Sequence, residues 1–234
     1  MLNRVLLIGL IAGLVSGVSA ALVQLQLVQP LIVQAESVEA MPRQVPQGHI
    51  HVGEATTHAH VDVEEPSDDP VTRRLSTALA VICTAIGYGL MASSVMSLLK
   101  VKGLNAGLAV GIAGFLSVQL LPALGVAPQP PGLPPYDVHL RQLWWASAAL
   151  SAVVASSLAL QGFRRRRVGL GVAAVILLLT PHLVRPWLEA MGPAPQLEDL
   201  LTPFVLASAT MTSTLWLTLG LTAGVLHARL PREP

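Results

Sequence analysis

Charge is scarce in this chain. Of 234 residues, 12% are charged and 53% are hydrophobic, and the mean hydropathy is +0.63. A soluble domain carries roughly 25% charged residues, so the depletion excludes an ordinary soluble protein and places the chain in the membrane class. Cysteine is almost absent. The one example, Cys83, lies in an apolar run, excludes an internal disulfide and makes a poor metal site alone. Its expected role is that of a small buried residue. Catalytic signatures are missing too. Without a Walker A sequence the chain does not hydrolyse ATP by that route. There is no HExxH, and no Ser/His/Asp or Cys/His set can be assembled, so the expectation is that this is not an enzyme. No carboxylate lies deep in an apolar run, so a proton-coupled carrier has no obvious relay, which favours a subunit over a complete transporter. The surroundings are membrane lipid, and nothing points to nucleic acid.

Six apolar segments are present, about 5–33, 75–99, 104–125, 143–163, 168–187 and 201–226. A helix needs roughly 20 residues to cross about 30 Å of hydrocarbon. The expected fold is therefore an all-α integral membrane protein, a bundle of about six transmembrane helices with a histidine-rich extracytoplasmic loop. It divides into a first helix over 1–34, the loop over 35–74 and a five-helix bundle over 75–234. The first segment exceeds one span, and Pro30 is expected to bend it. Gly9, Gly13 and Gly17 recur at four-residue spacing, as do Gly107 and Gly111 with nearby Gly114, and Gly220 and Gly224. Small residues at that spacing let helix backbones approach closely in lipid.

Charge orients the bundle. Arg4, Lys100, Lys102, the run Arg164–Arg167, Arg229 and Arg232 belong to one side, and only Arg43, Arg73, Arg74, Arg141 and Arg185 to the other. The positive-inside rule then places both termini in the cytoplasm of a multi-pass inner (plasma) membrane protein, with Arg164–Arg167 as a topology determinant. A competing reading takes Arg4, the following apolar run and Val18-Ser19-Ala20 as a cleaved secretory signal. The apolar run continues past Ala20 to Val33, which favours a retained helix.

The loop, Ala35 to Arg74, holds the clearest chemistry. It carries His49-Ile50-His51 and His58-Ala59-His60 among eight carboxylates. In an extended segment, residues two apart share a face, so each pair can present two imidazoles to one ion, with Glu54 and Asp62 completing the shell. Imidazole and carboxylate suit borderline divalent metals such as cobalt, nickel, zinc or copper(II). A second polar set lies at the outer helix ends: His182, Gln119, His139, Arg141, the glutamines 24, 26 and 29, and Glu36. Polar groups in spans face the bundle interior or a wet cavity, so His182, Gln119, His139 and Glu36 are candidates for a vestibule beneath the loop. His227 at the inner end reads as a flanking residue. Thr210, Met211, Thr212, Ser213 and Thr214 either line a path or, as such hydroxyls more often do, bond within the bundle.

Several of these stretches resemble one family. Leu25-Gln26 to Pro30-Leu31 with Ala35-Glu36, then Pro122-Ala123-Leu124-Gly125 with Pro128, Pro131 and Gly132, then Arg141-Gln142-Leu143-Trp144-Trp145 and Pro181-His182-Leu183 occur in order. Together with the loop they resemble the CbtA family of predicted cobalt transporter subunits. The chain departs from that family in its modest histidine loop and in Arg185-Pro186-Trp187 after Pro181-His182. The resemblance implies cobalt uptake for cobalamin beside a small, histidine-bearing membrane partner, CbtB. Two functions follow: a subunit for divalent metal uptake, or a non-transporting accessory or assembly subunit whose loop buffers or senses metal.

A peptide of residues 45–66 should bind one divalent ion. Binding should weaken as pH falls through the histidine range near ~6.5, because protonated imidazole cannot ligate. Calorimetry with Co, Ni and Zn checks this, and a peptide with its four histidines changed to alanine should show no such binding.

Overall fold

A computed structural model describes residues 2–39, 69–132, 138–183 and 195–230. Six helices account for these residues apart from short turns, and no strand occurs among them. Helix α1 runs Leu2–Val23, widens to a π-helical turn at Gln24–Val28 and continues as Gln29–Glu39. Helix α2 is Pro70–Leu98. Helix α3 comprises Leu104–Gly114, a π-helical stretch Phe115–Leu120 and a last turn Leu121–Gly125. Helices α4, α5 and α6 are Val138–Arg165, Val168–Leu183 and Pro195–Arg229. All but α5 are long and apolar enough to cross a membrane. The 16 residues of α5 rise about 24 Å, and the expected span extends from its end into residues outside the described set. The helices outrun the apolar segments at the loop. Helix α1 continues to Glu39 and α2 starts at Pro70, where the fixed φ of proline suits a first helical turn.

Size decides which face packs, because the solvent is itself apolar. Leu6, Leu10, Leu14 and Val18 form an exposed stripe on α1, while Gly9, Ala12, Gly13, Ser16, Gly17 and Ala20 are buried. Both faces are apolar, so hydrophobicity cannot orient this helix. Cys83 follows the same logic. It was expected to be buried and is instead exposed on α2, because the apolar exterior accepts a thiol that a soluble protein would hide.

Two glycine seams hold four of the helices. On α1, a Cβ at Gly13 would lie 2.4 Å from the Ile86 Cα, and one at Gly9 would lie 2.7 Å from the Leu90 Cα. From the α2 side, a Cβ at Gly89 would lie 2.3 Å from the Gly9 carbonyl oxygen. The second seam joins α3 to α6: a Cβ at Gly107 would lie 2.1 Å from the Gly220 oxygen, and one at Gly111 would lie 2.4 Å from the Trp216 oxygen. No side chain fits at these positions, so the spacing seen in the sequence serves packing. Trp216 joins the seams. Its ring occupies the space beside Gly114 and stacks obliquely on Tyr88 of α2, with centroids 4.9 Å apart. Helix α1 also packs along α6, and α4 and α5 form a hairpin that meets the rest through the far part of α3.

The basic turns share one end. Lys100 and Arg166 have φ of 55° and 53°. In each turn the left-handed residue bonds back three positions and the next residue five: Lys100 N to Ser97 O and Val101 N to Met96 O, then Arg166 N to Phe163 O and Arg167 N to Gly162 O. These are Schellman caps, which usually place glycine at the left-handed residue. Here a cation stands there, beside the negative end of the helix dipole.

The α3–α6 seam yields a test. Gly111→Ala should destabilise the bundle by about 1–3 kcal/mol, because the new methyl meets backbone that cannot move aside. Gly87, with nothing within 4 Å of its Cβ direction, should accept alanine without loss and with a gain of at most about 1 kcal/mol. Thermal unfolding in mild detergent compares the two.

Candidate functional site

Proline shapes the loop end of the bundle. Pro30 and Pro122 each stand two residues beyond a π-helical stretch. A proline in a helix removes one N–H and its ring crowds the carbonyl four residues back. The wider turn relieves that crowding. Gln29 N bonds Gln24 O and Leu121 N bonds Leu116 O, five residues apart, just before each ring. The bend expected at Pro30 is therefore a local widening, and α3 repeats the device.

Beyond Pro122, three stretches distant in sequence meet. Gly125 leaves room for Trp144: a Cβ there would lie 2.1 Å from the indole ring and 3.3 Å from His182 Nδ1. Trp144 is 4% exposed, so its N–H needs a partner, and Nε1 donates to the Pro181 carbonyl at 3.1 Å. The His182 ring stands edge-on to the indole, with centroids 5.7 Å apart. A cleft of about 150 Å³ opens beside Trp144, lined among others by Gln119, Val126, Pro128, Arg141 and Trp145. Gln119 and Arg141 are half-buried, and neither has a hydrogen-bond or ion-pair partner among the described residues.

The candidate vestibule residues are thus distributed. Gln119 faces the cleft with Arg141, while His182 packs on Trp144 outside the cleft lining. His139 is exposed at the start of α4. Glu36 pairs with Arg73, which ties the end of α1 to the start of α2 at the two roots of the intervening loop. Gln24 and Gln29 are buried on α1, whose π-helical turn packs on α6. No α1 residue lines the cleft. His49, His51, His58, His60, Glu54 and Asp62 lie outside the described residues. Among the described residues no three His, Cys, Asp or Glu side chains come together.

The hydroxyl cluster of α6 bonds within its own helix. Thr210, Thr212, Ser213, Thr214 and Thr218 each donate to a carbonyl three or four residues back. His227, expected to flank the bundle, is 3% exposed. Its Nε2 lies 3.1 Å from Ser93 Oγ, which donates to Val5 O at 2.9 Å, and its carbonyl accepts from Arg4 Nη2 at 2.8 Å. This network ties α1, α2 and α6 at the basic end. The sequence offered one signal, an imidazole one helical turn past Gly224 on the seam face, but its partners are far away in the chain.

A family model matches residues 2–228, nearly the whole chain. The chain belongs to the CbtA family. Its members are described as probable cobalt transporter subunits, which is not an enzyme class. No curated protein and no solved structure matches the chain. The family match and the apolar helices agree on a multi-pass membrane protein concerned with cobalt transport. Of the segments that carry the CbtA resemblance, Pro122–Gly125, Arg141–Trp145 and Pro181–Leu183 converge around Trp144, whereas the stretch Leu25 to Leu31 with Ala35-Glu36 lies on α1 and does not line the cleft.

The basic-end network predicts a cost for its removal. His227→Ala should destabilise the bundle by about 2–3 kcal/mol, through lost packing and a buried hydroxyl left with one partner fewer. Ser93→Ala should cost about 1 kcal/mol. Thermal unfolding in detergent reads both, and an unchanged midpoint in His227→Ala would contradict the network.

Proposed function

We propose that this CbtA-family chain is the membrane subunit of a cobalt uptake system, and that its loop captures the ion outside the cell. His49, His51, His58 and His60 supply imidazoles, and Glu54 and Asp62 supply carboxylates. Family membership carries the reading. The arrangement of the ends supports it: the stretch between α1 and α2 emerges opposite the basic turns, and Glu36 with Arg73 holds its roots together. Both termini lie in the cytoplasm in this reading, and a small histidine-bearing membrane partner completes the system. His182, at the loop end of α5, is the imidazole assigned in this reading to receive an ion released from the loop.

One observation favours an accessory subunit with a metal-buffering loop. The two glycine seams and the apolar cluster around Trp216 pack the basic half of the bundle closely. Uptake then requires either separation of the seams or a path supplied by the partner.

Uptake of radioactive cobalt by cells expressing the chain, with and without the partner, separates the readings. Alanine at the four loop histidines should raise the cobalt concentration needed for half-maximal uptake and leave the saturated rate unchanged, because a tethered collector alters capture. His182→Ala should lower the saturated rate. An unchanged rate removes His182 from the route, and no uptake with the partner present favours the accessory subunit.

A further inference from the structure

We propose that the cleft between α3 and α4 binds one oxyanionic group, a phosphate or carboxylate, held by Arg141 and Gln119. The charge of the site points to an anion. Arg141 lies in the first turn of α4, which contains no acidic residue, and the start of a helix adds positive potential of its own. Among the described residues no carboxylate lines the cleft. A bare divalent cation is repelled here, so the site is distinct in chemistry from the histidine loop and stands whether or not the chain carries cobalt.

The donors are available. Arg141 presents a planar fork suited to two oxygens at once, and Gln119 adds an amide N–H. Both side chains are half-buried with no partner among the described residues. Polar groups are costly to leave unsatisfied in a membrane, and an oxyanion would satisfy both. The walls are fixed, because Trp144 is clamped by Gly125 and by its bond to Pro181.

Size limits the occupant. A cleft of about 150 Å³ has the liquid volume of roughly five waters. Drug-sized ligands need about 300 Å³ or more, so one phosphate or carboxylate group fits and a large ligand does not. Trp144 and Trp145 mark the level of a membrane–water interface, and Leu140 and Leu143 beside them are exposed as lipid-facing residues are. A lipid headgroup phosphate and a free phosphate can both reach this level.

The test uses the full chain in a neutral, phosphate-free maltoside detergent, with intrinsic tryptophan fluorescence as the readout. One arm titrates inorganic phosphate against chloride at constant ionic strength. The other titrates phosphatidylglycerol dispersed in the detergent. A saturable change is expected in at least one arm, weakened about tenfold or more in Arg141→Gln, weakened less in Gln119→Leu, and unchanged in Arg164→Gln at the basic end. Arg141→Lys, which keeps the charge but loses the fork, should fall between and serves if the glutamine variant does not fold. Response to phosphate as well as lipid identifies a free oxyanion site, and response to lipid alone identifies a headgroup site; either upholds the proposal. No saturable change in both arms, or equal affinity in Arg141→Gln, overturns it.

Discussion

Backbone-to-backbone contact at the two glycine seams is the constraint on which the other contacts depend. Lipid offers no hydrophobic drive between helices, so association rests on close packing. Gly9, Gly13 and Gly89 bring α1 onto α2, and Gly107, Gly111, Gly220 and Gly224 bring α3 onto α6. At these separations a single Cβ would overlap a carbonyl oxygen or a Cα. The seams also set the register of everything beyond them. Gly103 N reaches Gly224 O at 3.2 Å, and Ser93 reaches both Val5 and His227, only because α1, α2, α3 and α6 are this close at the basic end.

The two ends of the bundle therefore differ in kind. The basic end is closed by small residues, one buried imidazole network and two Schellman turns. The loop end is loosened by proline. Pro30 and Pro122 each follow a π-helical stretch, and those stretches carry Gln24, Gln26 and Gln119. π-Helical turns occur often at functional sites. The glutamines, the cleft at Trp144 and the roots of the histidine loop all belong to this end. A chain of the CbtA family that receives an ion would receive it here, against a closed opposite end.

Local pattern made much of this readable. Hydropathy marked the helices, glycine spacing marked both seams, and the charge asymmetry grouped Arg4, Lys100 and Arg229 on the end where contacts now join Arg4 to His227. What pattern could not supply was partnership. Nothing near His227 in sequence announces Ser93 or Arg4, so a buried network read as a flanking residue. Cys83 was misplaced because a rule from soluble proteins equates apolar with buried, and lipid removes that equation. Gln119 and His182 looked alike as polar groups near helix ends, yet only long-range packing puts Gln119 beside Arg141 and sets His182 against Trp144. The loop histidines are legible as chemistry alone, since they lie outside the described residues.

The proposed uptake function requires the histidine loop outside the membrane and the basic end inside. Side-resolved labelling tests this most directly, in a Cys83→Ser background with one cysteine placed by Thr57→Cys or by Lys102→Cys. In intact cells a membrane-impermeant maleimide should label position 57 and leave position 102 unlabelled until the membrane is opened. Labelling of position 102 from outside, with position 57 protected, would contradict the account.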